Sequence, residues 1–114
     1  MSDVDVIERF LAAWKRADLD GVVACLAEDV VYSTSGRTGQ ATTYRGRDEV
    51  AAAFADQLGD DPGLALGPIV AADGRALNEW AYPLAESGTT LRGVDVYTIR
   101  DGLIAVKDVF GKQA

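Results

Sequence analysis

The chain has 114 residues, 48% of them hydrophobic and 25% charged, which suits one globular domain spanning 1–114. Its 18 Asp and Glu against 11 Lys and Arg give a net charge of −7. No basic stripe is therefore at hand to neutralise phosphates, which argues against nucleic acid and anionic membranes as partners. Histidine is absent and Cys25 is the single cysteine, so catalytic triads, an internal disulfide and a Cys/His metal cluster are excluded. Proton transfer, if any, falls to a carboxylate, a tyrosine, a lysine or water. The opening residues MSDVDVIERF lack a basic segment followed by an apolar run, and no apolar stretch approaches the ~20 residues of a membrane helix. The expectation is a cytoplasmic protein.

Residues 4–17 place Val6, Ile7, Phe10, Leu11, Trp14 and Ala17 on one helical stripe. Asp18 is suited to cap a second helix running from about Leu19 to Ala27. Val30, Val31 and Tyr32 read as a short strand. The small, polar, glycine-rich run 33–46 reads as a long loop over one end of the fold. A third helix is expected from about Asp48, its cap, to Leu58, with Val50, Ala51, Phe54 and Leu58 as its apolar stripe. From Leu64 the period changes to two. Strands are expected at 64–72, 75–84, 89–100 and 103–110, joined at Asp73-Gly74, Glu86-Ser87-Gly88 and Asp101-Gly102. Helices followed by a meander of long strands imply an α+β architecture.

On strand 89–100 one parity carries Leu91, Gly93, Asp95, Tyr97 and Ile99, and the other carries Val94 and Val96. On strand 103–110 one parity carries Ile104, Val106, Asp108 and Phe110, the other Leu103, Ala105, Lys107 and Val109. Both faces are apolar in their middles, whereas a sheet covered on one side only would be polar on the other. Three helices cover one face, and a second copy of the chain is expected on the other, giving a homodimer through the sheet. Asp95 and Asp108 each interrupt an apolar parity. A carboxylate in such a place is paired, protonated or on a cavity. The alternative to a cavity is pairing with Arg92, Lys107 or Lys112 at the surface.

Two segments carry a family resemblance. Residues 7–21, IERFLAAWKRADLDG, with Leu26-Ala27-Glu28-Asp29-Val30, resemble the opening of ketosteroid isomerases and SnoaL-like polyketide cyclases. Residues 93–104, GVDVYTIRDGLI, with Lys107-Asp108-Val109-Phe110-Gly111, resemble their ending. The resemblance implies the cone of the nuclear transport factor 2-like (NTF2-like) superfamily: three N-terminal helices packed on a curved antiparallel or mixed sheet around a pocket for a small apolar molecule.

By the same resemblance Asp95 matches the neutral oxyanion-donating acid of ketosteroid isomerase, which stays protonated in an apolar site. Phe10 stands where the isomerase has a second, tyrosine donor, and Tyr32-Ser33-Thr34 stands where it has its general base. Asp108 resembles the aspartate of SnoaL-like cyclases and limonene-epoxide hydrolases, and is the expected ionised base. Tyr32 resembles the hydrolase tyrosine that holds the attacking water, while Asn78 and Trp80 stand where that enzyme has an arginine and an aspartate.

The expected catalytic set is thus Asp95, Asp108 and Tyr32. The expected pocket wall is Phe10, Trp14, Thr34, Phe54, Asn78, Trp80, Tyr82, Leu91, Tyr97 and Phe110, with no metal and no cofactor. Three functional classes stay open: an acid–base enzyme on an apolar carbonyl or epoxide compound, a carrier of a hydrophobic ligand, and a dimerisation module.

Overall fold

Ser2 starts the first helix, α1 (Asp3–Lys15), through a reciprocal capping box with Asp5, and Asp3 and Asp5 place negative charge at the helix's positive end. Val6, Ile7, Phe10, Leu11 and Ala13 form its buried face. Asp18 caps α2 (Leu19–Val23) as expected, accepting the Gly21 N–H at 3.0 Å. This helix is a single short turn, and the chain is already extended at Leu26. In β1 (Leu26–Ser33), Leu26, Ala27, Val30 and Tyr32 are buried. A computed structural model describes residues 1–35 and 40–113, so residues 36–39 of the expected loop lie outside the described residues.

The remainder of that expected loop contains a strand. β2 (Thr43–Arg45) pairs antiparallel with β1 through Tyr32↔Tyr44, and the two tyrosine rings stack at 5.7 Å. α3 (Arg47–Gln57) follows. Its cap is Gly46 at φ +87°, with no side-chain hydrogen bond, whereas Asp48 sits inside the first turn and supports the helix by charge alone. Then come β3 (Ala65–Ala72), β4 (Arg75–Pro83), β5 (Thr90–Arg100) and β6 (Leu103–Gln113). Asp73-Gly74 and Asp101-Gly102 form the tight turns, all four residues at positive φ.

The six strands form one curved mixed sheet in the order β2-β1-β6-β5-β4-β3, with β1 parallel to β6 and the other pairs antiparallel. Helices cover one face. α3 follows two strands instead of preceding the sheet. Among the described residues no helix is long and apolar enough to cross a membrane.

One irregularity in β6 decides which side chains face inward. Ile99 pairs with Ile104, and Tyr97 pairs with Lys107. Two steps along β5 therefore match three along β6, a β-bulge that reverses the alternation of every residue after it. Ile104 faces the core with Ile99, but beyond the bulge the inward residues are Lys107 and Val109. Asp108 pairs with Val96 and Phe110 with Val94, on the opposite face. The expectation that Asp108 and Phe110 share a face with Asp95 is thus corrected. Phe110 is 53% exposed.

Candidate active site

Between the helices and the concave face of the sheet lies a cavity of about 240 Å³. α1 contributes Phe10, Leu11 and Trp14 on one wall. β4 contributes Asn78, Trp80 and Tyr82, and β5 contributes Leu91 and Asp95. Tyr32 and Thr34 enter from β1 and the residues after it. All of these except Leu11 were expected, and the fold brings them together. Phe54 and Tyr97 are fully buried beneath the wall and support it. Asp108 and Phe110 are outside it.

The floor of the cavity is an ion pair. Lys107 Nζ lies 3.3 Å from Asp95 Oδ2, and the two residues are 6% and 7% exposed. Four rings surround the ammonium, with centroids at 4.8 Å (Tyr32), 5.6 Å (Trp14), 5.7 Å (Phe54) and 6.0 Å (Phe10). Their negative faces hold a cation that has left water. Asp95 in turn accepts a hydrogen bond from Trp80 Nε1 at 2.8 Å on its other oxygen. The Tyr97 hydroxyl proton is shared between Asn78 Oδ1 at 2.8 Å and Asp95 Oδ2 at 3.2 Å. Indole N–H and ammonium groups can only donate. The arrangement therefore suits an ionised carboxylate and does not suit the neutral, donating acid expected from the resemblance.

Gly93 makes this geometry possible. A Cβ there would overlap the Phe110 carbonyl oxygen of β6 and stand 2.6 Å from Trp80 Cζ2, so any larger residue forces apart the β5–β6 pairing and crowds the indole that binds Asp95. Glycine is needed for close approach, not for an unusual φ.

Two tyrosines are tuned by the same surroundings. Burial, then the Asp95 charge, pushes the Tyr97 hydroxyl well above the ordinary tyrosine value. Burial, then Asp95, does the same to Tyr32, opposed by the hydrogen bond that Tyr32 donates to Gln57 Oε1 at 2.7 Å. In the unfolded chain both would ionise near pH 10. Above that pH the unfolded state holds fewer protons than the folded one, so stability must fall as pH rises. Urea unfolding is expected to show this loss beginning near pH ~10, and Tyr97→Phe should flatten it. A wild-type stability that stays level through that range would contradict the burial of these hydroxyls.

Sequence reasoning missed Lys107 as an inward group, along with Gln57 and Asp61. Asp61 accepts a hydrogen bond from Trp14 Nε1 at 3.0 Å and so fixes the indole at the cavity wall. Lys107 was among the partners expected for Asp95, but at the surface; the signal for its inward placement is its parity with Ala105 and Val109, an apolar set that needed an explanation. Among the described residues no group of three or more Cys, Asp or Glu is placed to hold a metal ion.

The SnoaL-like domain family matches residues 7–107. The chain belongs to that family. Among solved structures, an NTF2-like protein of unknown function from Mesorhizobium loti superposes with a TM-score of 0.81 at 23% identity, covering 95% of this chain and 88% of that one. A provisional ketosteroid isomerase from Kribbella flavida gives 0.75 at 22% identity, covering 97% and 78%. A de novo designed protein with a curved β-sheet gives 0.78 at 14% identity, covering 98% and 88%. At these identities the likeness is one of fold. No curated protein matches the sequence significantly. The SnoaL-like chain therefore has its family from sequence and its chemistry only from the cavity.

Proposed function

We propose that this SnoaL-like chain is an acid–base enzyme that moves a proton beside the carbonyl group of a small apolar molecule. The observation that carries this reading is the buried Lys107–Asp95 pair on the floor of an aromatic-walled cavity. Asp95 is the carboxylate that takes the proton from the carbon next to the carbonyl. The Lys107 ammonium donates to the carbonyl oxygen as negative charge develops there. Low surrounding polarity makes that donation far stronger than in water. The donating role expected for Asp95 thus passes to Lys107, and the basic role expected for Asp108 passes to Asp95. The cavity is below the ~300–1,000 Å³ range of drug-sized sites, which favours a compact substrate of one or two rings. An epoxide substrate is less well served, because Asp108 stands outside the cavity.

Exchange of α-hydrogens into deuterated water, followed by proton NMR over a panel of cyclic ketones and enones, tests the reading. Acceleration by the wild type is expected, with a roughly 10²–10⁴-fold loss in Asp95→Asn. Binding without exchange anywhere in the panel would contradict it and favour a carrier. One observation supports that second reading: three donors already converge on Asp95.

We further propose that a second copy covers the other face of the sheet. Val70, Leu77 and Phe110 are exposed there, with Val96 between Leu77 and Asp108 in register. Glu79 and Asp108 share the face with Arg92 and Lys112, so the patch carries both signs, as an interface that meets its own copy about a two-fold axis needs. Light scattering at micromolar concentration should give twice the 12.1 kDa chain mass, and Phe110→Glu should halve it. A wild-type monomer would contradict the proposal.

A further inference from the structure

The chain holds three lysines, Lys15, Lys107 and Lys112. Two are exposed, and Lys107 alone is buried and lines the cavity. Its ammonium has three donors, and Asp95 at 3.3 Å is its ion-pair partner. The four rings around Nζ hold it by their faces. A primary amine thus stands at the floor of an apolar, aromatic-walled cavity, with a carboxylate in reach to carry its proton.

We propose that Lys107 is a covalent carbonyl-binding site that forms an imine with small aromatic aldehydes. Asp95 takes a proton from the ammonium, and the free amine lone pair forms a C–N bond to the carbonyl carbon while the C=O π pair moves to oxygen. A proton passes from nitrogen to that oxygen to give the neutral carbinolamine. Asp95 then returns its proton to the hydroxyl, the C–O bond breaks, and water leaves. The product is an iminium ion beside the Asp95 carboxylate. One positive and one negative charge face each other before and after, so the pair that holds the fold is retained. The aromatic walls suit a flat aryl ring, and the cavity of about 240 Å³ sets a compact upper size.

This inference rests on the cavity but not on proton removal from carbon. Benzaldehyde has no α-hydrogen, so its reaction reports imine formation alone. A failure here leaves the exchange experiment untouched, and the reverse also holds. The folded protein is incubated with benzaldehyde and sodium cyanoborohydride, whose hydride converts the iminium to a stable benzylamine. Intact-mass measurement and peptide mapping then locate the product.

The expected result is one benzyl group on Lys107, added at least about tenfold faster than on Lys15, Lys112 or the terminal amine. Lys107→Arg, which keeps the charge facing Asp95 but offers no nucleophilic amine of this kind, should lose that fast addition. Wild-type labelling confined to the exposed amines, or spread with no preference for Lys107, overturns the proposal. The wild-type map decides the matter even if Lys107→Arg does not fold. Persistence of the fast single addition in folded Lys107→Arg would equally overturn it.

Discussion

Asp95→Ala should lower the stability of the fold by about 3–5 kcal/mol in urea unfolding followed by circular dichroism. Three groups lose their acceptor at once: the Lys107 ammonium, the Trp80 indole N–H and part of the Tyr97 hydroxyl bond. The ammonium dominates, because it would be left buried among rings with its charge uncompensated. Asp95→Asn keeps an acceptor for Trp80 and should cost less. Combined with Lys107→Met it removes both charges together, and the double variant should be more stable than the sum of the two single changes by about 1–3 kcal/mol. Strict additivity would mean that the pair is not formed in solution.

Phe54→Ala should be comparably damaging, at about 3–5 kcal/mol. The ring is fully buried and touches Phe10, Trp14 and Tyr32 at centroid separations of 5.9, 5.2 and 4.9 Å. It also stands under the ammonium of Lys107 at 5.7 Å. Truncation leaves a void at the junction of α1, α3 and β1, which helices on a sheet close only in part. Phe54→Leu, closer in volume, should cost less than about 1.5 kcal/mol. The functional reading adds a second expectation. Tryptophan fluorescence titration with a graded set of naphthols should show Phe54→Ala favouring bulkier ligands than the wild type does. Equal stability of the alanine and leucine variants would show that the ring does not support the floor.

The sequence made most of this architecture readable, for local reasons. α1 follows from the spacing of Val6, Ile7, Phe10 and Leu11, and the hairpin turns follow from Asp-Gly pairs that tolerate positive φ. The alternation in β5 is unbroken from Leu91 to Ile99, so period alone places Asp95 and Tyr97 on one face with Leu91, and the family resemblance is what turns that face inward. The error lay in β6. A bulge is a property of two strands in register, and nothing within Ile104-Ala105-Val106-Lys107 marks the extra residue. Carrying the parity of Ile104 through it exchanges Lys107 for Asp108.

Other losses have the same origin. Gln57 enters the site because α3 packs on β1, where it meets Tyr32, and Asp61 because the turn after α3 reaches Trp14 of α1, tertiary facts with no sequence period. β2 is hidden in a polar run because its support is one stacked tyrosine pair and the β1 ladder. Asp48 meets the usual preference for a helix cap, yet Gly46, at a φ that suits glycine, ends the preceding strand and begins the helix itself.

The placement of Lys107 inside the cone and Asp108 outside it underlies both the proposed enzyme and the proposed imine. NMR of isotopically labelled protein tests it most directly, through the side-chain methylene protons of Lys107 nearest Nζ. The structure predicts that these protons are shifted by ring currents and show nuclear Overhauser contacts to Tyr32 and Trp14, while the Asp108 side chain shows none to either ring. Lys107 methylene protons at solvent-exposed positions, with Asp108 in contact with Tyr32, would contradict the account.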